Sequence, residues 1–284
     1  MSSNVELVKQ LREETSLGMM KCKKALEETN YDYQKALVLL REKGQSVANS
    51  KSGRKTSHGL VGIINDVNGA SAIKLCCETD FVARGDAFIE LTENLLKQAN
   101  TSMFDSVDAL LDSDSGSVKS SIVDSIAKIG ENIELKDLKQ AKGSSAYYVH
   151  NVTPSNPNLG QIVTAITYEA ENDNENVKEA MRKVAMHLAA TKAEYINIAD
   201  VSADVVEEEK RIYSEQAKSS GKPEHVIEKM VSGRINKFYQ ENVLMEQDFI
   251  IDPDLKVREF IAKVEKENDT KITVKGTFFM SLSN

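Results

Sequence analysis

Apolar side chains recur every three to four residues over the first 44 positions, which is the spacing of amphipathic helices. One apolar stripe runs through Val5, Val8 and Leu11, and the segment 15–20 interrupts it. The apolar positions of the stripes that follow are Cys22, Ala25, Leu26, Ala36, Leu37, Leu39 and Leu40. The pattern predicts three short helices that bury these positions together.

Polar side chains and a glycine mark the ends of the third predicted helix. Asn30 and Asp32 are candidate N-caps, because their side-chain oxygens can accept from free backbone N–H groups. Gly44 is placed to end the helix. Three short helices joined by a Gly-Met-Met loop resemble the ubiquitin-associated fold, a binding module whose partner the fold does not specify. We therefore predict a helical N-terminal domain over 1–45 and a linker of small polar residues over 46–57.

A weak internal repeat of strands and helices follows the linker. The elements of its first copy are strand 61–67, an Asn68-Gly69 turn, strand 70–77, a corner and helix 86–99. Those of its second copy are strand 147–152, strand 161–168, a corner at 169–174 and a helix that carries Val177, Ala180, Met181, Val184 and Leu188. Asn-Gly is a favoured hairpin turn, so each copy should pack an antiparallel sheet against helices. The predicted fold class is α+β.

Further elements complete the two halves of this core. Helical spacing over 107–111 and 118–129 precedes a strand at 133–138, which should close the first sheet. A helix at 256–266 and a strand at 271–280 should belong to the second half. The predicted subdomains of the core are 58–142, and 143–202 together with 243–284.

Residues 203–242 differ from the rest of the chain. Two highly charged runs with sparse apolar positions flank Gly221-Lys-Pro223, and a Gly followed by a Pro ends one helix and starts another. Such a pair predicts an antiparallel helical hairpin that protrudes from the core as a coiled coil.

Charge and composition narrow the function classes. The chain carries 36 Lys and Arg residues against 44 Asp and Glu residues, for a formal net charge of −8. This balance argues against direct nucleic-acid binding, which needs a basic surface. No run of about 18 apolar residues and no secretory signal is visible, so we expect a cytoplasmic protein without a membrane partner. The three cysteines lack a C-x-x-C spacing and should be reduced thiols.

Residue patterns typical of catalysis are missing from the sequence. His58, His150, His187 and His225 are scattered, with neither a helical His partner nor a nearby Cys. Phosphate-cradling glycine loops and nucleophile–base sets are not found. We therefore predict no catalytic residues, no metal and no cofactor, and we favour a binding or regulatory protein over an enzyme.

The corner of the first copy carries the most unusual residues, Asp80 and Phe81. Thr79 or Asp80 can cap the coming helix, but neither role explains a phenylalanine on a short turn. Phe81 either folds back into its own core, as most phenylalanines do, or projects as an anchor for a partner. The matching corner of the second copy has Glu171 and Asn172 instead. Since a packing requirement of the repeat should occur in both copies, we predict that Phe81 projects.

Five segments, in order, resemble the elongation factor Ts family. They are Leu-Gly-Met-Met-Lys-Cys-Lys-Lys-Ala-Leu at 17–26, Thr-Asp-Phe-Val-Ala-Arg at 79–84, Ala-Lys-Ile-Gly-Glu-Asn at 127–132, Ala-Met-His-Leu-Ala-Ala at 185–190 and Ser-Gly-Lys-Pro at 220–223. The order of modules matches over essentially the whole chain. The resemblance implies a guanine-nucleotide exchange factor for elongation factor Tu in protein synthesis, without covalent chemistry.

The resemblance also implies which residues touch the partner. In the family, the corner loop enters the GTP-binding domain of elongation factor Tu, so that magnesium is dislodged and GDP leaves. The matching loop is Asp80, Phe81, Val82, Ala83 and Arg84, and the N-domain contacts to the same domain match Arg12, Met19, Met20 and Lys23. Contacts to the partner's last domain match His150, Ile250 and Ile251.

Two features of the sequence depart from the family pattern, and two other functions fit it less well. Glu78 stands where the family more often has a polar amide, which we expect to be neutral, and an extra C-terminal helical module of some members is not expected after residue 284. A ubiquitin-fold-binding adaptor or scaffold, assembled through the coiled coil, is the main alternative, and an enzyme ranks third. The sequence leaves open whether the complex is one-to-one or a two-to-two assembly through a homodimer.

Overall fold

The structure is a computed structural model that describes residues 4–15, 17–66, 69–113, 117–218 and 223–283. Its helices are α1 (Asn4–Thr15), α2 (Met19–Glu28), α3 (Tyr33–Lys51), α4 (Asp80–Ala83), α5 (Asp86–Ala99), α6 (Val107–Leu111), α7 (Ser117–Ile129), α8 (Glu175–Thr191), α9 (Ala203–Lys218), α10 (Glu224–Asn242) and α11 (Val257–Asn268). Its strands are β1 (His58–Asp66), β2 (Gly69–Cys77), β3 (Ile133–Ala141), β4 (Ser145–His150), β5 (Leu159–Gly160), β6 (Ile162–Ala170), β7 (Asp248–Phe249), β8 (Asp252–Lys256) and β9 (Ile272–Ser281).

The N-terminal helices α1, α2 and α3 enclose a small core of their own. Its fully buried members are Leu11, Cys22, Ala25, Leu26 and Ala36, which are the positions of the apolar stripes. The side chain of Asp32 accepts from the backbone N–H of Lys35 and caps α3. Helical spacing therefore identified these helices. The likeness to the ubiquitin-associated fold stays a prediction.

The prediction that Gly44 ends the third helix is wrong, because α3 continues to Lys51. Gly44 is buried, and a Cβ atom placed on it would lie 3.6 Å from the Cβ of Ala127. That distance is ordinary van der Waals contact, so the position packs against α7 without strictly requiring a glycine, and burial of this face of α3 outweighs the low helix propensity of glycine. The first part of the predicted linker, residues 46–51, is consequently helical.

The core consists of two antiparallel sheets packed face to face. One sheet has the strand order β3-β2-β1-β5, and the other has the order β4-β6-β9. The apolar layer between them combines Val61, Ile63, Ala70, Ala72, Val149, Val163, Ala165 and Met280. Helices α5 and α7 cover the outer face of the first sheet, and α8 and α11 cover that of the second. The predicted α+β class is confirmed.

Burial on both faces explains the apolar composition of β2 and β6. Every residue of β2 is buried, since Ile73 and Leu75 face the helices while Ala70 and Ala72 face the other sheet. The alternation predicted for 161–168 divides in the same way, because Val163 packs between the sheets. The predicted strand at 147–152 ends two residues early at His150. Asn151 has a φ of 52°, in the left-handed region, and turns the chain out of the sheet.

The two predicted turns, at 68–69 and 219–223, are described only in part. Asn68 of the hairpin turn and residues 220–222 of the 220–223 segment lie outside the described residues. Helices α9 and α10 are present as expected and pack against each other, with the guanidinium carbon of Arg234 5.8 Å from the centre of the Tyr213 ring. Their description as a coiled coil, like the domain boundaries, stays a prediction.

Candidate partner-binding site

The corner after β2 is built around a single turn of helix. Thr79 has extended backbone angles and caps α4, because its Oγ1 accepts from the backbone N–H of Val82 at 3.4 Å. Of the two predicted caps, it is thus Thr79 that acts. Helix α4 ends at Ala83, and Gly85 then caps the next helix, α5. The corner therefore places a one-turn helix between a buried strand and a long amphipathic helix.

Helix α4 presents Phe81 to solvent while its other side packs inward. The Phe81 side chain is 85% exposed, whereas Ala83 is 6% exposed and belongs to the core of the first subdomain. Val82 is partly buried against the same core. The predicted outward direction of Phe81 is confirmed. Ala83 supports the turn from within, although the resemblance assigns it to the contacting loop.

Charged side chains lie on either side of Phe81. The carboxylate of Asp80 pairs with the guanidinium of Arg84, with 3.2 Å between Oδ2 and Nη2, one helical turn apart. Both side chains are largely exposed, so the pair contributes little to stability. The exposed surface of α4 is thus an aromatic ring beside an ion pair that can rearrange at low cost.

The corresponding corner of the second subdomain is closed by hydrogen bonds. The hydroxyl of Tyr168 donates to Asp173 at 2.8 Å, and the backbone N–H of Asn172 donates to Thr270 Oγ1 at 2.9 Å. Asn174 then caps α8 directly. Only the first of these two corners has a helical turn with a projecting aromatic side chain.

Glu131 and Glu78, which the residue patterns did not single out, brace the base of the Phe81 corner. Glu131 accepts from both the backbone N–H and the hydroxyl of Thr79. Glu78 accepts from the backbone N–H of Asn132 at 2.6 Å, and this bond lowers the pKa of the Glu78 carboxyl, helped by Arg54. In the sequence, Glu131 is marked only as part of the 127–132 segment. Its contact with the Phe81 corner exists only in the folded chain, where that segment lies beside Thr79.

The N-domain residues implied by the resemblance are all exposed. Met19 and Met20 begin α2 and are 49% and 74% exposed, respectively. Arg12 lies on α1 and Lys23 on α2, where the Lys23 ammonium is 3.7 Å from the Glu27 carboxylate. Two adjacent exposed methionines form a flexible apolar surface suited to a partner.

The third group of implied residues lies on the second subdomain. His150 is exposed at the end of β4, where its Nδ1 is 3.1 Å from the hydroxyl of Tyr148. Ile250 and Ile251 are 41% and 45% exposed in the turn between β7 and β8. The two consecutive isoleucines give this turn an exposed apolar surface.

His187 fixes that turn and was missed as a functional residue. Its ring is fully buried, with Nε2 2.9 Å from Gln247 Oε1, and its Nδ1 accepts from the backbone N–H of Ile250 at 3.2 Å. Since Nδ1 is an acceptor, the proton of the neutral ring resides on Nε2 and is donated to Gln247. The histidine of the 185–190 segment therefore orients the exposed isoleucines.

Known proteins match this chain over nearly its whole length. The family model described as Elongation factor TS matches residues 78–282. Proteins named elongation factor Ts are 43% identical over 276 residues in Agrobacterium fabrum, covering 95% of this chain and 89% of that protein, and 42% identical over 272 residues in Bartonella bacilliformis, covering 94% and 88%. One from Clostridium botulinum is 40% identical over 283 residues. The chain belongs to the elongation factor Ts family.

Membership of the elongation factor Ts family assigns the chain to translation elongation in protein biosynthesis. The matched region contains the Phe81 corner, the 127–132 turn and the His187 segment, and the relatives extend the match over the N-terminal helices. The adaptor alternative, which rested on the N-terminal helices and the helical pair, is not favoured.

The described residues contain no group of three or more His, Cys, Asp or Glu side chains placed to hold a metal ion. Among them, none of the helices combines the length and apolar character needed to cross a membrane. Cys22, Cys76 and Cys77 are free and buried, and burial raises the pKa of the Cys77 thiol to about 12.

His187 should make the stability of the chain depend on pH. Burial lowers the pKa of His187 below its usual value of 6.5, although the bond with Gln247 opposes the shift. The unfolded chain therefore takes up a proton near pH 6.5 while the folded chain does not, so stability is full above that pH and falls as the pH drops below it. We expect a loss of at most about 1.4 kcal/mol per pH unit.

Urea unfolding at about pH 7.5 and at about pH 5.5 measures this effect. The two conditions lie above and below the pH at which an unfolded-chain histidine takes up its proton, and the lower one stays above most carboxyl pKa values. His187→Asn is the matched variant, because its Oδ1 can accept from the Ile250 N–H without titrating. A flatter pH dependence in the variant supports the assignment. Parallel curves for the two proteins would contradict it.

Proposed function

We propose that this chain binds elongation factor Tu in its GDP form and accelerates GDP release. Phe81 and Asp80 enter the GTP-binding domain of the partner and displace groups near the magnesium and phosphate sites. The observation that carries the proposal is the 85% exposed Phe81 on a one-turn helix whose other side is packed in the core. A side chain of this size gains free energy by entering a partner's apolar pocket.

Linkage explains how such a contact speeds release without touching the nucleotide. A factor that binds the nucleotide-free partner better than the GDP-bound partner weakens GDP by the same ratio. Mg²⁺ demands near-ideal octahedral geometry, so small displacements of its ligands weaken it sharply. Packed interiors respond to an inserted ring by switching between discrete arrangements. Phe81 supplies the volume, and the Asp80–Arg84 pair supplies charges that can exchange partners.

The two remaining surfaces hold the partner while Phe81 acts. Arg12, Met19, Met20 and Lys23 form the N-domain surface and contact the GTP-binding domain. His150, Ile250 and Ile251 hold the last domain of elongation factor Tu. Helices α9 and α10 form the protruding hairpin. We place the activity in the cytoplasm, with no direct contact to nucleic acid, in either a one-to-one complex or a two-to-two complex formed through a homodimer.

Release of fluorescent GDP from purified elongation factor Tu tests the proposal directly. The chain should accelerate release at Mg²⁺ concentrations that keep the GDP complex saturated with metal. If the chain dislodges Mg²⁺, its effect should shrink once the metal has been chelated, because part of the barrier is then already removed. Release that is equally slow with and without the chain would refute the function.

Met19 and Met20 should contribute to affinity and not to the maximal rate. The double variant Met19→Ala, Met20→Ala removes exposed apolar surface, so we expect the half-saturating concentration of the chain to rise by about tenfold, at roughly 1 kcal/mol or less per side chain. Stopped-flow release over a range of chain concentrations separates the two quantities. Val38→Ala, 54% exposed on α3, is the matched control and should change neither.

A further inference from the structure

We infer that Glu131 is a positioning residue: its carboxylate clamps Thr79 at the start of α4 and thereby fixes the direction in which Phe81 projects. The inference rests on the proposed exchange function and adds a residue to it. Glu131 lies in the turn between α7 and β3, 50 positions after Phe81 in the chain, and has no direct part in presenting apolar surface.

The clamp is bidentate. Glu131 Oε2 accepts from the backbone N–H of Thr79 at 3.0 Å, and Oε1 accepts from the Thr79 hydroxyl at 2.7 Å. The Thr79 carbonyl in turn accepts from Cys77 Sγ at 3.2 Å. Hydrogen bonds to an ionised carboxylate are about twice as strong as neutral ones. Thr79 is therefore held at its N–H, its hydroxyl and its carbonyl.

Helix α4 needs external support of this kind. It spans only Asp80–Ala83, and a single helical turn is unstable by itself because nucleation fixes several residues for few hydrogen bonds. On its inner side, burial of Ala83 holds the turn in place. At its N-cap position, Thr79 Oγ1 accepts from the Val82 N–H in a side-chain rotamer that the hydrogen bond from the same hydroxyl to Glu131 also favours. Without Glu131, the Phe81 ring would sample a wider range of directions.

The turn that carries Glu131 is itself held in place. Gly130 has a φ of 88°, in the region that favours glycine, and its carbonyl accepts from the Lys51 ammonium at the end of α3. The backbone N–H of Asn132 donates to Glu78, and its side chain donates to the Arg54 carbonyl at 3.0 Å. Glu131 can hold Thr79 in one position only if the backbone of its own turn is fixed. The hydrogen bonds of Gly130 and Asn132 fix that backbone.

The N-domain rests on the same support. Lys21, adjacent to Met20 on α2, donates from Nζ to the carbonyl of Ala127 at 3.1 Å. Both surfaces assigned to the GTP-binding domain, the methionines on α2 and Phe81 on α4, are thus anchored to the segment 127–132. Segment 127–132 has no exposed apolar residue of its own, so its part in the site is to support the two contact surfaces.

GDP-release kinetics with elongation factor Tu test the clamp. Glu131→Ala should lower the maximal rate at saturating chain by roughly five- to tenfold, with a change of less than about twofold in the half-saturating concentration. Glu131→Gln should restore most of the rate, since the amide can accept from the Thr79 N–H and donate to its hydroxyl. Glu90→Ala, an exposed carboxylate on α5, is the control and should behave as wild type.

Combination with Phe81→Ala separates positioning from a general structural role. If Glu131 acts through Phe81, the double variant should release GDP at the rate of Phe81→Ala alone. If the double variant is slower than Phe81→Ala by the same factor by which Glu131→Ala is slower than wild type, the inference is overturned. It is also overturned by a Glu131→Ala protein with the wild-type maximal rate, or by a Glu131→Gln protein as slow as Glu131→Ala.

Amide hydrogen exchange of the free protein provides a readout that does not depend on the partner. Residues 79–85 should exchange about tenfold faster in Glu131→Ala than in wild type, while the strands β1 and β2 keep their protection. Unchanged hydrogen exchange at 79–85 in Glu131→Ala would overturn the clamp, even if that variant accelerates GDP release less than wild type does. Wild-type chain that fails to accelerate GDP release would overturn the proposed function and leave this measurement standing.

Discussion

Phe81→Ala should slow GDP release from elongation factor Tu more than any other single substitution at the exposed surfaces. We expect the maximal rate to fall by about tenfold or more, within the roughly 5- to 150-fold range of typical coupling free energies. The ring supplies the volume that distinguishes the nucleotide-free partner from the GDP-bound partner. Binding should be partly retained, because the N-domain and the second subdomain still dock. Stopped-flow release of fluorescent GDP gives the rate, and titration gives the affinity.

Phe81→Ala should have little effect on the stability of the free protein. Phe81 is 85% exposed, so its truncation should change the free energy of unfolding by no more than about 0.5 kcal/mol. Met103→Ala is the matched control, since Met103 is an exposed apolar side chain outside the three proposed contact surfaces. A Phe81→Ala protein that releases GDP at the wild-type rate would refute the wedge, whatever its affinity.

Phe249→Ala should cause the largest loss of stability, about 3–5 kcal/mol. The Phe249 ring is fully buried, stacks on Phe260 with 4.3 Å between ring centres, and contacts the His187 ring at 5.7 Å. Its removal leaves a cavity under the turn that carries Ile250 and Ile251. Urea unfolding monitored by circular dichroism measures the stability, and affinity for elongation factor Tu should fall as the turn loosens.

Ile250→Ala is the informative partner of this substitution, since the two residues are neighbours in the chain. Ile250 is 41% exposed, so its truncation should leave stability within about 0.5 kcal/mol of wild type while weakening partner binding. A Phe249→Ala protein as stable as wild type would contradict the packing described above. Equal losses of stability in the two variants would contradict the assignment of Ile250 to the surface.

Helical spacing and strand alternation were sufficient for most elements. The predicted helix 86–99 coincides with Asp86–Ala99, and 107–111 with Val107–Leu111. These periods are local, because a helix or strand that buries one face must repeat every 3.6 or 2 residues. Local signals failed at Gly44, where contact with α7 keeps α3 helical, and at Asn151, where the chain leaves the sheet earlier than the apolar run suggests.

The candidate site divides in the same manner. The sequence by itself marked Asp80 and Phe81, through the contrast between the two corners, whereas Met19 and Met20 were indicated only by the family resemblance of the 17–26 segment. It did not reveal Glu131 beneath Thr79 or His187 behind Ile250, because 52 and 63 residues separate these partners and only the folding of distant segments onto each other brings them together. Exposed residues such as Asp80 and Phe81 can be recognised from the local sequence, because they break the pattern of the elements around them. The hydrogen bonds that orient these residues depend on distant segments, and the tertiary structure alone decides them.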